Sequence, residues 1–345
     1  MNYLKPSLSA ALIVFGLAAC GGSNSGSSDV TAGNAAKFSL GVSDAAVEGA
    51  SEVNIFVKQV TLRSSGGEDT VIETLDNNEQ PIKINLLDFQ GSAAYELISD
   101  LNIEAGEYVW IRMDLINGDD ANINQTSHIV FEDASVRPLV VTRKGNDGIG
   151  EIQLNGFELN EGNNEFVVEF DLKRSLVDPK NNADIKLKPT GVRLENLIAS
   201  GHISGSVSAD VIGLCESDNA VLAGEGGVFA HAVYLYDEET TAETATDINE
   251  TDVNTTPKAS ASLNLNSETG DYDFEFGFVG EGSYKIGYTC LSHLDDPEST
   301  DDSFSLYAFG AQSTQVTASA TSSTSIAVDD IIQVSLEVDT SLDTQ

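Results

Sequence analysis

From Phe38 onward, apolar side chains recur at every second position, and that period leaves the chain few folds to choose from. Successive side chains of a strand point to opposite faces, so a two-residue period marks extended segments with one face turned to a core. Val53, Ile55 and Val57 share one face, and Val60 and Leu62 continue on the opposite phase. A phase switch inside a strand is what a bulge produces, so one is expected near Lys58 and Gln59. Ile82, Ile84 and Leu86 alternate in the same way. Over 107–116 the apolar phase is Val109, Ile111, Met113 and Leu115, and the other phase holds Tyr108, Trp110, Arg112 and Asp114. Phe166, Val168, Phe170 and Leu172 repeat the pattern, and Gly145-Asn146-Asp147-Gly148 reads as a tight hairpin turn needing positive φ. One short helix is predicted over 93–101, where Tyr95, Leu97, Ile98 and Leu101 fall near helical spacing. Many strands with few helices predict an all-β chain of sandwich or barrel type.

The length suits two domains better than one. Composition shifts around 196–201, beyond which Lys258 and Lys285 are the only basic residues. The expected boundaries are 37–197 for a first sandwich and 198–345 for a second, of immunoglobulin- or prealbumin-like build. Strands of the second half are predicted at 202–211, 228–236, 259–265, 272–278 and 283–288, with a closing strand at 331–338. Residues 237–257, rich in Thr, Glu, Asp and Asn, read as a long mobile acidic loop. Gly106-Glu107-Tyr108 and Gly282-Ser283-Tyr284 each open a strand after a turn. A tyrosine so placed can lay its ring on the sandwich and bond backbone through its hydroxyl, as in a tyrosine corner.

At the amino terminus, Lys5 precedes an apolar stretch over 8–19, which is shorter than the roughly 20 residues of a membrane span. That order is a secretory signal, expected to be removed as residues 1–19. Leu17-Ala18-Ala19-Cys20 resembles a bacterial lipobox. The resemblance implies lipidation of Cys20 and a durable membrane anchor, each buried lipid CH₂ being worth about 0.8 kcal/mol. Gly21 stands where aspartate would suggest inner-membrane retention, which by analogy points to the outer membrane of a Gram-negative envelope. Residues 20–36, Gly/Ser-rich from 21 to 33, then form a flexible linker.

The formal charge of -38, from 55 acidic and 17 basic residues, argues against binding nucleic acid or anionic lipid headgroups. With Cys20 lipidated, Cys215 and Cys290 are the remaining pair, expected to form a disulfide in an oxidising envelope. His128, His202, His231 and His293 come with no Gly-x-Ser-x-Gly elbow and no His-Glu-x-x-His helix, so hydrolytic catalysis has little support. His202 and His231 read as ordinary residues of strands. Asp119-Asp120, Asp295-Asp296 and Asp301-Asp302 lie in expected loops, where carboxylate oxygens could converge on calcium, although none has EF-hand spacing. Asp44 and Arg112 are read as a partly buried ion pair or as parts of a polar pocket. Trp110 is either a platform for sugar rings or a packed residue.

Two resemblances complete the reading. Phe38-Ser39-Leu40-Gly41-Val42-Ser43-Asp44-Ala45-Ala46 with Val53-Asn54-Ile55 and Val60-Thr61-Leu62, and at the far end Phe170-Asp171-Leu172-Lys173-Arg174-Ser175-Leu176 with Leu187-Lys188-Pro189 and Arg193-Leu194, resemble the domain of unknown function 4382. Ala46 departs from the proline often found after Asp-Ala in that family. This resemblance implies a β-sandwich common in prokaryotic lipoproteins and carries over no catalytic residues. Val233-Tyr234-Leu235-Tyr236-Asp237, Gly270-Asp271-Tyr272-Asp273-Phe274 and Gly282-Ser283-Tyr284-Lys285-Ile286 are similar to carboxypeptidase-regulatory-like and starch-binding-like sandwiches. Such modules imply spacing, stabilising or glycan-contacting roles. The expected function is non-catalytic binding or scaffolding at the cell envelope with a protein or glycan partner and no cofactor; glycan recognition and an enzyme of unrecognised type are the alternatives.

Overall fold

The computed structural model describes residues 35–45, 49–179, 184–248, 255–299 and 303–332. Cys20 and the linker as far as residue 34, Ala46, Asp301, Asp302 and most of the closing strand expected at 331–338 lie outside them, while Ala35 and Ala36, expected at the linker's end, already belong to the first strand. The first half contributes β1 (Ala35–Ala45), β2 (Ala50–Ser64), β3 (Asp69–Glu73), β4 (Ile82–Asn85), β5 (Tyr95–Glu104), β6 (Gly106–Ile116) and β7 (His128–Phe131). It continues with β8 (Val136–Val141), β9 (Ile149–Leu159), β10 (Gly162–Asp171), the one-turn helix α1 (Leu172–Ser175), β11 (Leu176–Val177), β12 (Ile185–Leu187) and β13 (Val192–Asn196).

These strands make two sheets. The smaller is ordered β13-β10-β1-β5; the larger runs β11-β12-β8-β7-β2-β6-β9, with β3 and β4 also pairing along β2. Phe38, Leu40 and Val42 of β1 and Phe166, Val168 and Phe170 of β10 share one buried core with Ile55, Val60 and Leu62 of β2. Alternation along each strand thus selects the inner face of the sandwich.

The expected bulge is present. The β2–β6 register slips between Val57 and Gln59, which lets Val57 and Val60 both face the core. The tight turn is also as read, with Asp147 at φ 55° and Gly148 at 76° and the amide of Ile149 donating to the Asn146 carbonyl at 3.1 Å. Two local expectations are corrected. The segment 93–101 is not a helix, since β5 occupies Tyr95–Glu104 and pairs antiparallel with β1. Its register slips between Phe38 and Leu40 and again between Leu40 and Gly41, so inward residues come at uneven intervals that imitate helical spacing. On β6, Val109 is 54% exposed and Tyr108 only 6%. The phase reverses at a second slip of the β2–β6 register, between Arg63 and Ser64, which skips Val109 and pairs Ser64 with Tyr108.

The second half forms β14 (Ser200–Val207), α2 (Ala209–Asp218), β15 (Ala232–Asp237), β16 (Ala259–Ser262), β17 (Asn264–Leu265) and β18 (Tyr272–Gly280). β19 (Gly282–Thr289), β20 (Ala308–Phe309), β21 (Thr314–Val316) and β22 (Thr321–Ile326) follow. One sheet is β17-β18-β14-β22 and the other β16-β15-β19-β20, with β21 also on β19. Their facing residues, Ile203, Val233, Phe274, Phe276 and Ile286 among them, make a second core.

Three expectations change here. The strand predicted over 202–211 stops at Val207, because Ser208 accepts the Val211 amide and starts α2. Residues 321–326, rich in Ser and Thr and not among the predicted strands, supply β22, which runs parallel to β14. The described part of 237–257 is packed rather than a free loop. Ile248 is 3% exposed and lies over Tyr234 and Tyr236, and the Tyr236 hydroxyl donates to the Thr246 carbonyl at 2.8 Å. Those two tyrosines leave β15 on the face opposite its core, so something must cover them. The disulfide Cys215–Cys290 forms with an S–S distance of 2.03 Å and ties α2 to the end of β19. Both tyrosine corners form: Tyr108 donates to the Glu104 carbonyl at 2.8 Å and Tyr284 to that of Gly280 at 3.0 Å, four residues upstream in each case.

Candidate binding site at the junction of the two sandwiches

Alternation in β10 sends Phe166, Val168 and Phe170 inward and Glu169 and Asp171 to the outer face of the smaller sheet. Toward the end of the strand that face is covered, although Glu165 nearer its start is exposed. Glu169 is 3% and Asp171 1% exposed, because β16 and the residues leading into it lie against them. Asp171 caps α1 by accepting the Arg174 amide at 3.2 Å, and it also accepts the Ser260 hydroxyl at 2.9 Å and amide at 3.0 Å. Arg174 donates to the carbonyls of Pro257 and Lys258 at 2.8 and 3.0 Å. Arg193 of β13 donates to the Lys258 carbonyl at 3.3 Å and to Glu169 at 2.5 Å, with Glu195 at 3.6 Å. Lys173 reaches the Ser292 carbonyl and Lys188 pairs with Glu298 at 3.0 Å.

Burial sets the electrostatics of this junction. It pushes the Glu169 carboxyl up to about 7 even beside Arg193, and raises Asp171 against the pull of Arg174 and Arg193. For Arg193, burial works against the charge, and Glu169, Glu195 and Asp171 outweigh it, so its affinity for the proton rises. Backbone contact completes the fit. A Cβ on Gly277 of β18 would fall 1.9 Å from the Gly91 carbonyl oxygen, so glycine there lets the two sandwiches touch main chain to main chain.

Beside the junction, the sandwich edge between β9 and β13 opens into a cleft of about 840 Å³ that ends at Ala199 and Gly280. Both strands are the outermost of their sheets. Phe157 forms the aromatic floor, its ring 5.3 Å from Tyr108 and 5.2 Å from Phe166, with Leu154 and Leu194 beside it. Glu158 and Glu195 stand on the rim.

The residues singled out by sequence do not converge on this place. Trp110 lies on the outer face of the larger sheet with the Arg63 and Arg112 guanidinium groups 5.1 and 5.5 Å from its ring centre, so it packs against arginines. Asp44 and Arg112 do not pair: Asp44 is buried in β1 of the smaller sheet, while Arg112 bonds Asp114 at 2.9 Å and Glu151 at 3.5 Å. Asp119 accepts the Ala121 amide and the Asn122 side chain as the cap of a 3-10 turn, and Asp120 is exposed beside it. Asp295 is buried, accepts the Tyr234 hydroxyl at 2.6 Å and the Ile248 amide at 3.2 Å, and is pushed up to about 7 by burial. Asp296 accepts the Glu298 amide. Among the described residues, no group of three or more His, Cys, Asp or Glu is placed to hold a metal ion.

The four histidines are likewise dispersed. His128 is buried against Asn54 and the Thr126 carbonyl, and His202 accepts the Phe278 amide. His231, just before β15, lies between Tyr288 at 2.9 Å and Glu216 at 3.1 Å, and His293 meets the Leu222 carbonyl. Asp171, Arg174 and Arg193 lie in the segments that resemble the family, and that resemblance gives them no role. The available signal was position: Asp171 on the outer phase of β10, Arg174 in the turn that follows it and Arg193 at the start of β13.

Fold and site together define an all-β protein of paired sandwiches with a polar, buried junction. Residues 35–189 match the family model described as domain of unknown function 4382, somewhat under half of the chain. No curated protein matches. Among solved structures, a candidate cell adhesion protein from Bacteroides fragilis NCTC 9343 is 8% identical, with 84% of this chain and 91% of that chain covered and a TM-score of 0.20. A candidate adhesin from Bacteroides ovatus ATCC 8483 is 7% identical, with 86% and 92% covered and a TM-score of 0.18. The fimbrial anchor protein of Porphyromonas gingivalis is 11% identical, with 82% and 98% covered and a TM-score of 0.16. Similarity at that level carries no functional conclusion. No helix among the described residues is long and apolar enough to cross a membrane.

Proposed function

We propose that this chain is a lipid-anchored protein of the cell envelope, held through Cys20 in the outer membrane, with a non-catalytic binding or scaffolding role. The observation that carries the reading is the junction. Asp171, Arg174 and Arg193 fasten the first sandwich to the 257–260 segment of the second, so the two domains, divided near 197, present one block with a cleft beside the seam. Rigid blocks suit binding, because little ordering is lost when a partner docks. The lipobox-like Leu17-Ala18-Ala19-Cys20 supports the address, and 21–33 the reach from the lipid surface.

Labelling cells with a fatty acid tests the anchor. Wild-type protein should take up label and fractionate with membranes, and Cys20→Ser should lose both or remain an unprocessed precursor. A Cys20→Ser protein that is still fully processed and membrane-bound overturns the anchor. In-cell cross-linking with identification of the attached molecules tests the binding role, and recovery of the protein uncross-linked to anything overturns it.

A further inference from the structure

We propose that the cleft between β9 and β13 receives an extended, basic segment of another protein as a strand added to the edge of β9. The inference goes beyond the anchoring and does not depend on it. The edge is chemically prepared for such a strand. The Glu151 amide turns away from β6 and donates to the Arg143 carbonyl at 2.9 Å, so the two-residue repeat puts the amides of Gln153 and Asn155 on the same side. Past the hairpin, no described strand pairs with that side of β9. An outermost strand with unpaired amides is a template for another chain.

The cleft adds what an edge alone lacks. Its floor of Phe157, Leu154 and Leu194 can take every second side chain of an added strand, while the first and third face outward. Its rim is acidic. Glu158 is exposed, and Arg193, the cation at the rim, is already matched by Glu169 and Glu195. Charge therefore chooses the occupant. A second copy of this chain, at -38, would be repelled, whereas an extended segment alternating apolar residues with Lys or Arg matches both floor and rim.

A phage-displayed library of linear peptides panned on the purified protein tests this. Enriched peptides should alternate apolar and basic residues, and on binding they should slow hydrogen exchange at the Gln153 and Asn155 amides. Asn155→Pro removes the edge amide without touching the ladder to β6, and Glu158→Lys reverses the exposed charge at the rim while leaving the Arg193 pairs in place; each should weaken the enriched peptide about tenfold or more. Thermal melting establishes that each variant is folded, and Glu158→Lys with the exchange measurement decides the matter should Asn155→Pro fail to fold. Enrichment of no linear peptide, binding unchanged in Glu158→Lys, or binding without protection at those two amides overturns the proposal. Loss of peptide binding with intact lipidation would remove this inference alone.

Discussion

The carboxylate of Asp171 takes both the amide and the hydroxyl of Ser260, at 3.0 and 2.9 Å, across the boundary between two separately cored sandwiches. It also caps α1, so one side chain ends a strand, starts a helix and fastens a neighbour.

Asp171→Ala should therefore destabilise out of proportion to its size. It strands the Ser260 and Arg174 donors and removes a counter-charge from two half-buried arginines, Arg174 and Arg193, for which a loss of about 3 kcal/mol is expected. Urea denaturation measures it, and limited proteolysis should show faster cutting near 196–200. Ser260→Ala, which loses only the hydroxyl, should cost about 1 kcal/mol.

Acidity should tighten the junction. Glu169 has a folded pKa raised from 4.5 to about 7. Between those values the folded protein keeps a proton that the unfolded chain releases, so stability is greatest below the lower value and is lost as pH rises through the upper one. The slope is at most about 1.4 kcal/mol per pH unit for one such group. Glu169→Gln cannot titrate, so its melting temperature should vary less with pH than that of the wild type over about pH 5 to 8. Parallel curves for the two proteins would exclude Glu169 as the source.

Gly277→Ala should separate the sandwiches, because the added methyl would meet the Gly91 carbonyl oxygen. The expected signs are a larger radius by small-angle scattering and a lower melting temperature. Gly213→Ala, whose Cβ meets nothing within 4 Å, is the control.

Replacing Cys215 and Cys290 together by serine should cost about 4 kcal/mol in the chain-entropy model, given their separation of 75 residues. Both sulfurs are fully buried, so a mild reductant should leave the native protein unchanged and act only once it unfolds. Thiol alkylation before and after denaturant reads this directly.

Features written in neighbouring residues were legible from sequence. The bulge beside Val57, the turn at Asp147 and the two tyrosine corners each follow from a pattern a few residues long, and the disulfide followed from counting thiols. What failed depended on distant partners. β5 looked helical because its irregularities are set by β1, and the stretch over Tyr236 looked free because nothing local says that the tyrosine beneath needs a cover. β22, made of Ser and Thr, has no apolar period, and only its place beside β14 makes it a strand. The junction was hidden for the same reason. Glu169 and Asp171 occupy a phase that reads as solvated, and a single sequence does not say which outer face another domain will cover.

The parallel pairing of β14 with β22 has a consequence for how this half of the chain assembles. Ser206 sits beside Ser325, so the first strand of the second sandwich is flanked by one made more than a hundred residues later. During synthesis β14 can find β18 early, yet its other border stays open until almost the whole described chain has emerged. Contacts of such long range slow folding. They also leave the nascent second half a stretch of time in which it is still an open thread.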